Sequence, residues 1–87
     1  MARTKNIMSA DIIVKKELQK DGTYFLTVLD RNKREYDRRG SKKGNNQKDA
    51  EQIVRYLGTT LFRNNKILYY RLENEKETEY TISIAFQ

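Results

Sequence analysis

Apolar residues alternate with polar ones in most segments of the chain, and one segment has a helical period instead. The runs DIIVKKELQ at 11–19 and TYFLTVLD at 23–30 are rich in β-branched and aromatic residues. Asp21-Gly22 between them supplies the positive-φ position that a tight hairpin needs. A third run, REYDRRG, also alternates and predicts a polar edge strand that holds Arg34, Tyr36 and Arg38 on one face.

A polar loop, SKKGNN at 41–46, leads into the helical segment. One stripe of an amphipathic helix contains Ala50, Ile53, Val54, Leu57 and Leu61. Asn45 or Asn46 can cap this helix, and Asp49 complements the positive end of its dipole. Gly58 is either the stop signal of the helix or a weak point within it.

The rest of the chain predicts a second hairpin, from KILYYRLE through a turn at NEKE to TEYTISIAF. In the last strand, Tyr80, Ile82, Ile84 and Phe86 share one face. The predicted order is β-β-β-α-β-β, an α+β fold in which one helix packs on one face of a mainly antiparallel sheet. We expect a flexible tail at 1–10 and one compact domain at 11–87.

The net charge of +6 lies entirely within residues 31–48, which contain eight of the eighteen Lys and Arg residues and two of the twelve acids. A basic focus of this kind predicts a polyanionic or acidic partner. Arg can donate two parallel hydrogen bonds to a phosphate, and Lys on a loop adds point charges. The alternative is a solvated strand and loop that protect a sheet edge from aggregation.

The candidate nucleic-acid-binding residues are the basic side chains of this segment together with the tyrosine between them. They are Arg31, Lys33, Arg34, Tyr36, Arg38, Arg39, Lys42, Lys43 and Lys48. Tyr36 is included because aromatic rings interleaved with Arg stack on the bases of single strands. The other five tyrosines are predicted to pack in or around the core.

Catalysis is not expected, because the chain has neither His nor Cys and no acid two residues before a Lys. Glu73, Glu75, Glu77 and Glu79 alternate near a turn, where they could hold Mg²⁺ or form a solvated hairpin tip, and we favour the tip. We expect no cofactor, metal or small-molecule substrate. No apolar run is long enough to span a bilayer, so we expect a cytoplasmic protein that does not bind membranes.

The stretch KDGTYFLTVLDRNKREYDRRG, with NQKDAEQIVRYLG after a short loop, resembles the arm-type DNA-binding domain of tyrosine recombinases, which is related to plant AP2 domains. The resemblance covers residues 12–58 and implies a three-stranded sheet, backed by one helix, whose outer face enters the major groove of DNA. It implies that the groove-facing residues are Arg31, Lys33, Arg34, Tyr36 and Arg38. The same stretch also resembles the HicB antitoxin pattern, although Leu29-Asp30 stands where that family has Pro-Asp.

Two classes of function follow from these observations. The first is a small, non-enzymatic nucleic-acid-binding or regulatory protein that contacts phosphates through residues 31–48, with DNA favoured over RNA. The second is a protein-protein inhibitor or antitoxin, such as a phage anti-defence protein. It would dock its basic patch in an acidic or nucleic-acid-binding groove of a larger enzyme.

Overall fold

The alternating segments form one five-stranded antiparallel sheet, and the helix packs on one of its faces. The structure is a computed structural model that describes residues 6–87. Its elements are β1 (Met8–Leu18), β2 (Tyr24–Asp30), β3 (Glu35–Ser41), α1 (Asn46–Thr59), β4 (Ile67–Glu73) and β5 (Glu79–Phe86). The α+β class and the β-β-β-α-β-β order are therefore confirmed.

The strand order in the sheet is β3-β2-β1-β5-β4, so the first and last strands of the chain lie side by side at the centre. In β1, Ile12 faces Ile82 of β5 on one side and Asp30 of β2 on the other. β3 and β4 are the two edges. Among the described residues, no helix is long and apolar enough to cross a membrane.

The core lies between α1 and one face of the sheet. Ala50, Ile53, Val54 and Leu57 of the helix stripe are buried against alternate residues of the central strands. The fully buried strand residues are Ile12, Val14, Leu26, Val28, Tyr80, Ile82 and Ile84. Within residues 6–87, no second layer covers the opposite face of the sheet, which is the usual arrangement for an antiparallel sheet packed on one side.

The first strand begins earlier than the pattern of the sequence indicates. β1 starts at Met8, because residues 8–10 pair with the end of β5, with Met8 opposite Phe86 and Ala10 opposite Ile84. The predicted tail at 1–10 is therefore too long by three residues at its C-terminal end. Its first five residues lie outside the part of the chain that the structure describes.

The helix ends sooner than the apolar stripe predicts. The hydroxyls of Thr59 and Thr60 both donate to the carbonyl of Tyr56, and α1 stops at Thr59. Leu61, predicted to be the last residue of the stripe, is 40% exposed, whereas Phe62 is 4% exposed. Phe62 takes the core position and packs on Phe86, with 4.7 Å between the ring centroids.

Candidate nucleic-acid interface

Of the nine predicted site residues, six lie at the two ends of β3, and Tyr36, Arg38 and Arg39 lie within the strand. Arg31, Lys33 and Arg34 lie at the β2–β3 turn, whereas Lys42, Lys43 and Lys48 lie after the strand and in the first turn of α1. A strand rises about 3.3 Å per residue, so the seven residues of β3 separate these two groups by roughly 23 Å. The basic segment is thus extended along one sheet edge and is not a single cluster.

A β-bulge in the β2–β3 pairing changes the faces on which these side chains lie. The register shifts between Val28 and Leu29, so that Tyr36 and Arg38 do not share a face as predicted. Tyr36 packs against the core on the helix side, whereas Arg38 pairs with Thr27 on the open face. The arm-type resemblance implies that Tyr36 contacts DNA from the outer face of the sheet. Because its side chain lies on the helix side, Tyr36 cannot reach a ligand on the open face.

The β2–β3 turn is organised by the carboxylate of Asp30. It accepts hydrogen bonds from the backbone N–H groups of Asn32 (2.8 Å) and Arg34 (2.9 Å) and from the hydroxyl of Tyr36 (2.8 Å). The bond from the Arg34 backbone, followed by the bond from Tyr36, lowers the pKa of Asp30. Burial, and then the bond to Asp30, raises the pKa of Tyr36. The residue Lys33 has a φ of 65°, the left-handed conformation of this turn.

Two of the predicted arginines have acidic partners on exposed parts of the sheet. The guanidinium of Arg31 forms an ion pair with Asp11, and Nε of Arg38 lies 2.7 Å from a carboxylate oxygen of Glu35. Exposed ion pairs of this kind contribute little to stability, but each one cancels the charge that a phosphate would meet. These two arginines are consequently weaker candidates than the sequence indicates.

Arg39 lies on the helix side of β3, where it joins the strand to α1. It forms an ion pair with Asp37 at 2.6 Å, its side chain is only 24% exposed, and its guanidinium lies 5.5 Å from the ring centroid of Tyr56. Arg34 makes a similar contact with the Tyr36 ring, at 5.6 Å. Two Arg–Tyr cation–π pairs therefore line this side of the β3 edge.

The loop between β3 and α1 is held in place at three points. The Ser41 hydroxyl donates to Asp49 (2.8 Å) and accepts from the backbone N–H of Gly44 (2.9 Å). The ammonium group of Lys16 donates to the Gly44 carbonyl and to the side-chain oxygen of Asn46, both at 2.8 Å. The polar loop is thus fixed by half-buried hydrogen bonds.

Gly44 is required at its position for two separate reasons. Its φ is +63°, a conformation that L side chains rarely adopt. A Cβ atom there would also lie 2.5 Å from Cδ1 and Cε1 of Tyr24, because the loop packs directly on that ring. This close packing turns Lys42 and Lys43, the two residues between the fixed points, toward solvent.

Lys42, Lys43 and Lys48 line one open groove of about 440 Å³ beside the start of α1. The other residues that line it are Gly40, Ser41, Asn45, Asp49 and Gln52. Asn45 caps α1, because its side chain accepts a hydrogen bond from the backbone N–H of Lys48 (3.1 Å). Of the two residues predicted as the cap, Asn45 is therefore confirmed. Among the ion pairs of residues 6–87, none involves these three lysines.

We call this surface the lysine groove. Its one acidic neighbour, Asp49, is engaged by the Ser41 hydroxyl. The groove therefore carries concentrated positive charge with no ion-pair partner in the described part of the chain.

The opposite flank of the helix start is acidic. The side-chain amide of Asn46 donates to Glu75 in the β4–β5 turn at 2.9 Å. A polyanion would therefore approach the helix start from the β3 side and avoid the β4–β5 turn.

Within residues 6–87, no three side chains of the metal-ligating types come together to form a metal site.

The open face of the sheet has mixed charge and is a poorer site for a polyanion. Its hollow of about 350 Å³ is lined by basic and acidic side chains together, among them Lys15, Glu17 and Glu79. Phe25, which also lines it, is 38% exposed. The charges of this face largely cancel.

The sequence interpretation did not include Tyr56 or Gln52 in the site. Gln52 lies four residues before Tyr56 and four residues after Lys48, which places the three on one face of α1. Because Lys48 was already a candidate, this spacing could have identified both.

A comparison of the chain with protein-family models, curated proteins and solved structures found no match.

Proposed function

We propose that this chain is a small, non-enzymatic nucleic-acid-binding protein whose lysine groove contacts the phosphate backbone. The observation that carries the proposal is the set of three lysines without ion-pair partners in the described structure, held around one groove by a fixed loop. An ammonium group is a compact point charge that suits a phosphate without demanding one orientation. DNA is the first ligand to test, and RNA the second.

The rest of the β3 edge supplies a secondary contact in this proposal. Arg39 with Tyr56, and Arg34 with Tyr36, continue the basic surface from the groove toward the β2–β3 turn. The length of β3, roughly 23 Å, corresponds to about seven base pairs of duplex at 3.4 Å each. Contacts at this edge are weaker than those in the groove, because the ion pair between Arg39 and Asp37 must partly break before Arg39 can bind a phosphate.

The salt dependence of binding tests the proposal directly. Each neutralised phosphate releases a condensed counterion, with a slope of log K against log salt of about −0.9 per contact on duplex DNA and −0.7 on single strands. Replacing Lys42, Lys43 and Lys48 with Gln is expected to flatten the slope on duplex DNA by about 2.7, if all three contact phosphates. Fluorescence anisotropy with a labelled random-sequence duplex, titrated at several salt concentrations, measures this slope.

A second triple variant provides the matched control. Lys15, Lys20 and Lys76 are exposed and lie outside the lysine groove, and their replacement with Gln removes the same total charge. If binding reflects only net charge, both triple variants will flatten the slope equally, and the groove assignment is wrong. If the groove is the site, only the Lys42/Lys43/Lys48 variant will do so.

The alternative function is a protein-protein inhibitor, and the same variants distinguish it from a nucleic-acid-binding protein. A pull-down with nuclease-treated lysate compares the parent chain with the groove variant. If neither chain binds DNA or RNA at low salt, but the parent retains a protein partner that the groove variant loses, the inhibitor function replaces the one proposed here.

A further inference from the structure

The edge strand β4 has an open and largely apolar edge. Its sequence is ILYYRLE, its only charged residues are Arg71 and Glu73, and these two pair with each other at 2.6 Å. Among the strands of residues 6–87, β5 is its only neighbour in the sheet. Outside the sheet ladders, no backbone hydrogen bond within the described range involves residues 68–73. The outward backbone groups of β4 are therefore free to pair with another strand.

The other edge strand is protected in the ways that natural sheets use. β3 has four charged residues in seven, Arg39 and Asp37 point to the helix side, and a bulge interrupts its ladder. In β4 the only register shift lies at its start, between Ile67 and Tyr69, and the rest of the strand pairs regularly. The two edges thus differ in a way that solubility alone does not require.

Tyr69 marks the open face beside this edge. It is 62% exposed, and in the sheet it pairs with Ala85, which itself pairs with Ser9 of β1. Ile7, immediately before β1, is 61% exposed. A large aromatic ring next to an unpaired apolar edge is a feature of an interaction surface.

We infer that β4 pairs antiparallel with β4 of a second copy of this chain, centred on Tyr70. Past the register shift at the start of β4, this register places Tyr69 opposite Arg71 and Tyr70 opposite the Tyr70 of the second copy. A two-fold axis perpendicular to the sheet relates the copies, so both helices stay on the same side of one ten-stranded sheet.

The charges of the strand favour this register. Tyr69 of each copy is directly opposite Arg71 of the other, so each guanidinium can lie over an aromatic ring. No like charges are opposite each other in this part of the ladder, because Arg71 faces Tyr69.

Two charge variants at Tyr69 test the pairing. Because this side chain is exposed, a polar residue there leaves the folded chain intact. Tyr69→Lys places a like charge opposite each Arg71, whereas Tyr69→Glu places an opposite charge there. In sedimentation equilibrium without nucleic acid, we expect a dimer that Tyr69→Lys weakens by about tenfold and that Tyr69→Glu preserves to within about threefold.

A substitution on another strand of the same sheet face serves as the control. Phe25→Lys changes an exposed aromatic residue on the same face of the sheet but on β2, and it is expected to leave the dimer unchanged. A parent chain that stays monomeric up to about 1 mM overturns the inference. So does a dimer that the Lys and Glu variants weaken equally, or one that neither affects.

Cross-linking tests the register itself. The chain has no cysteine, so single cysteines can be introduced without background. Equal amounts of Tyr69→Cys and Arg71→Cys are expected to form the mixed disulfide in preference to either homodimer, because only residues 69 and 71 are directly opposite. A preference for the 69–69 disulfide would overturn the Tyr70-centred register.

Discussion

Replacing Gly44 with Ala is expected to destabilise the protein through two effects that can be measured separately. The first is the positive φ of 63°, which costs an L residue about 1–2 kcal/mol and is partly offset by about 0.4–1 kcal/mol from the stiffer unfolded chain. The second is the contact between the new Cβ atom and the Tyr24 ring, 2.5 Å from two ring carbons. Forced overpacking of this kind typically costs about 1–3 kcal/mol.

Gly22 provides the matched control for the backbone effect. Its φ is +86°, but a Cβ atom there has nothing within 4 Å. Gly22→Ala therefore carries the conformational strain without the contact. The free energy of unfolding, measured by urea denaturation, should fall by about 1–3 kcal/mol more for Gly44→Ala than for Gly22→Ala.

A double-mutant cycle with Tyr24→Ala then identifies the cause of the difference. Without the ring, Gly44→Ala should cost no more than Gly22→Ala does in the parent chain. Equal costs for Gly44→Ala and Gly22→Ala in the parent chain would refute the packing of the loop on Tyr24. The explanation of how Lys42 and Lys43 are turned outward would then fail with it.

Further expected outcomes concern the core and the β2–β3 turn, all measured by denaturation of single variants. Ile84→Ala should cost about 2–5 kcal/mol, and a near-parental stability would contradict the buried sheet face. Phe62→Ala should cost about 3–5 kcal/mol and Leu61→Ala much less, whereas the reverse order would restore the longer helix stripe. Tyr80→Phe should be neutral or stabilising, because the buried Tyr80 hydroxyl has no hydrogen-bond partner in the described structure, and a loss above about 1 kcal/mol would reveal a missed partner. Asp30→Asn should destabilise the protein at neutral pH. Because the pKa of Asp30 is lowered in the folded state, the difference in stability between parent and variant should disappear as the pH falls through that pKa. A stability difference that does not depend on pH would contradict the assigned hydrogen bonds.

The elements that the sequence predicts well are those whose signals are local. Asp21-Gly22 forms the first turn as predicted, with Gly22 at φ +86°, and the helix stripe from Ala50 to Leu57 is buried. The alternation in the last strand likewise places Tyr80 on the core side. In each case neighbouring residues alone determine the conformation.

The features that the sequence did not predict depend on contacts between distant residues. The bulge at Val28 and Leu29 breaks the alternation of β3, and nothing in REYDRRG indicates the position of its partner strand. The extra residues of β1 need the end of β5 to pair with. By contrast, Lys16 follows Ile12 and Val14 at intervals of two, so its place on the helix side could have been predicted.

The division of the candidate site has a similar cause. The sequence indicates correctly that residues 31–48 are basic, but charge density alone does not show which cations have carboxylate partners. Arg31 forms an ion pair with Asp11, which is twenty residues away in the chain, whereas Lys42 and Lys43 form no ion pair in the described structure. Tertiary contacts of this kind separate the lysine groove from the rest of the segment.

The central position of β1 and β5 determines when this chain can fold during its synthesis. The strands β1, β2 and β3 leave the ribosome first, but the core that they form with α1 stays incomplete until Tyr80, Ile82 and Ile84 follow. Pairing of the first strand with the last requires closure of a long loop, so folding is expected on the millisecond-to-second scale typical of non-local sheets. A nascent chain that stalls before β5 would expose its unfinished core to chaperones or to aggregation.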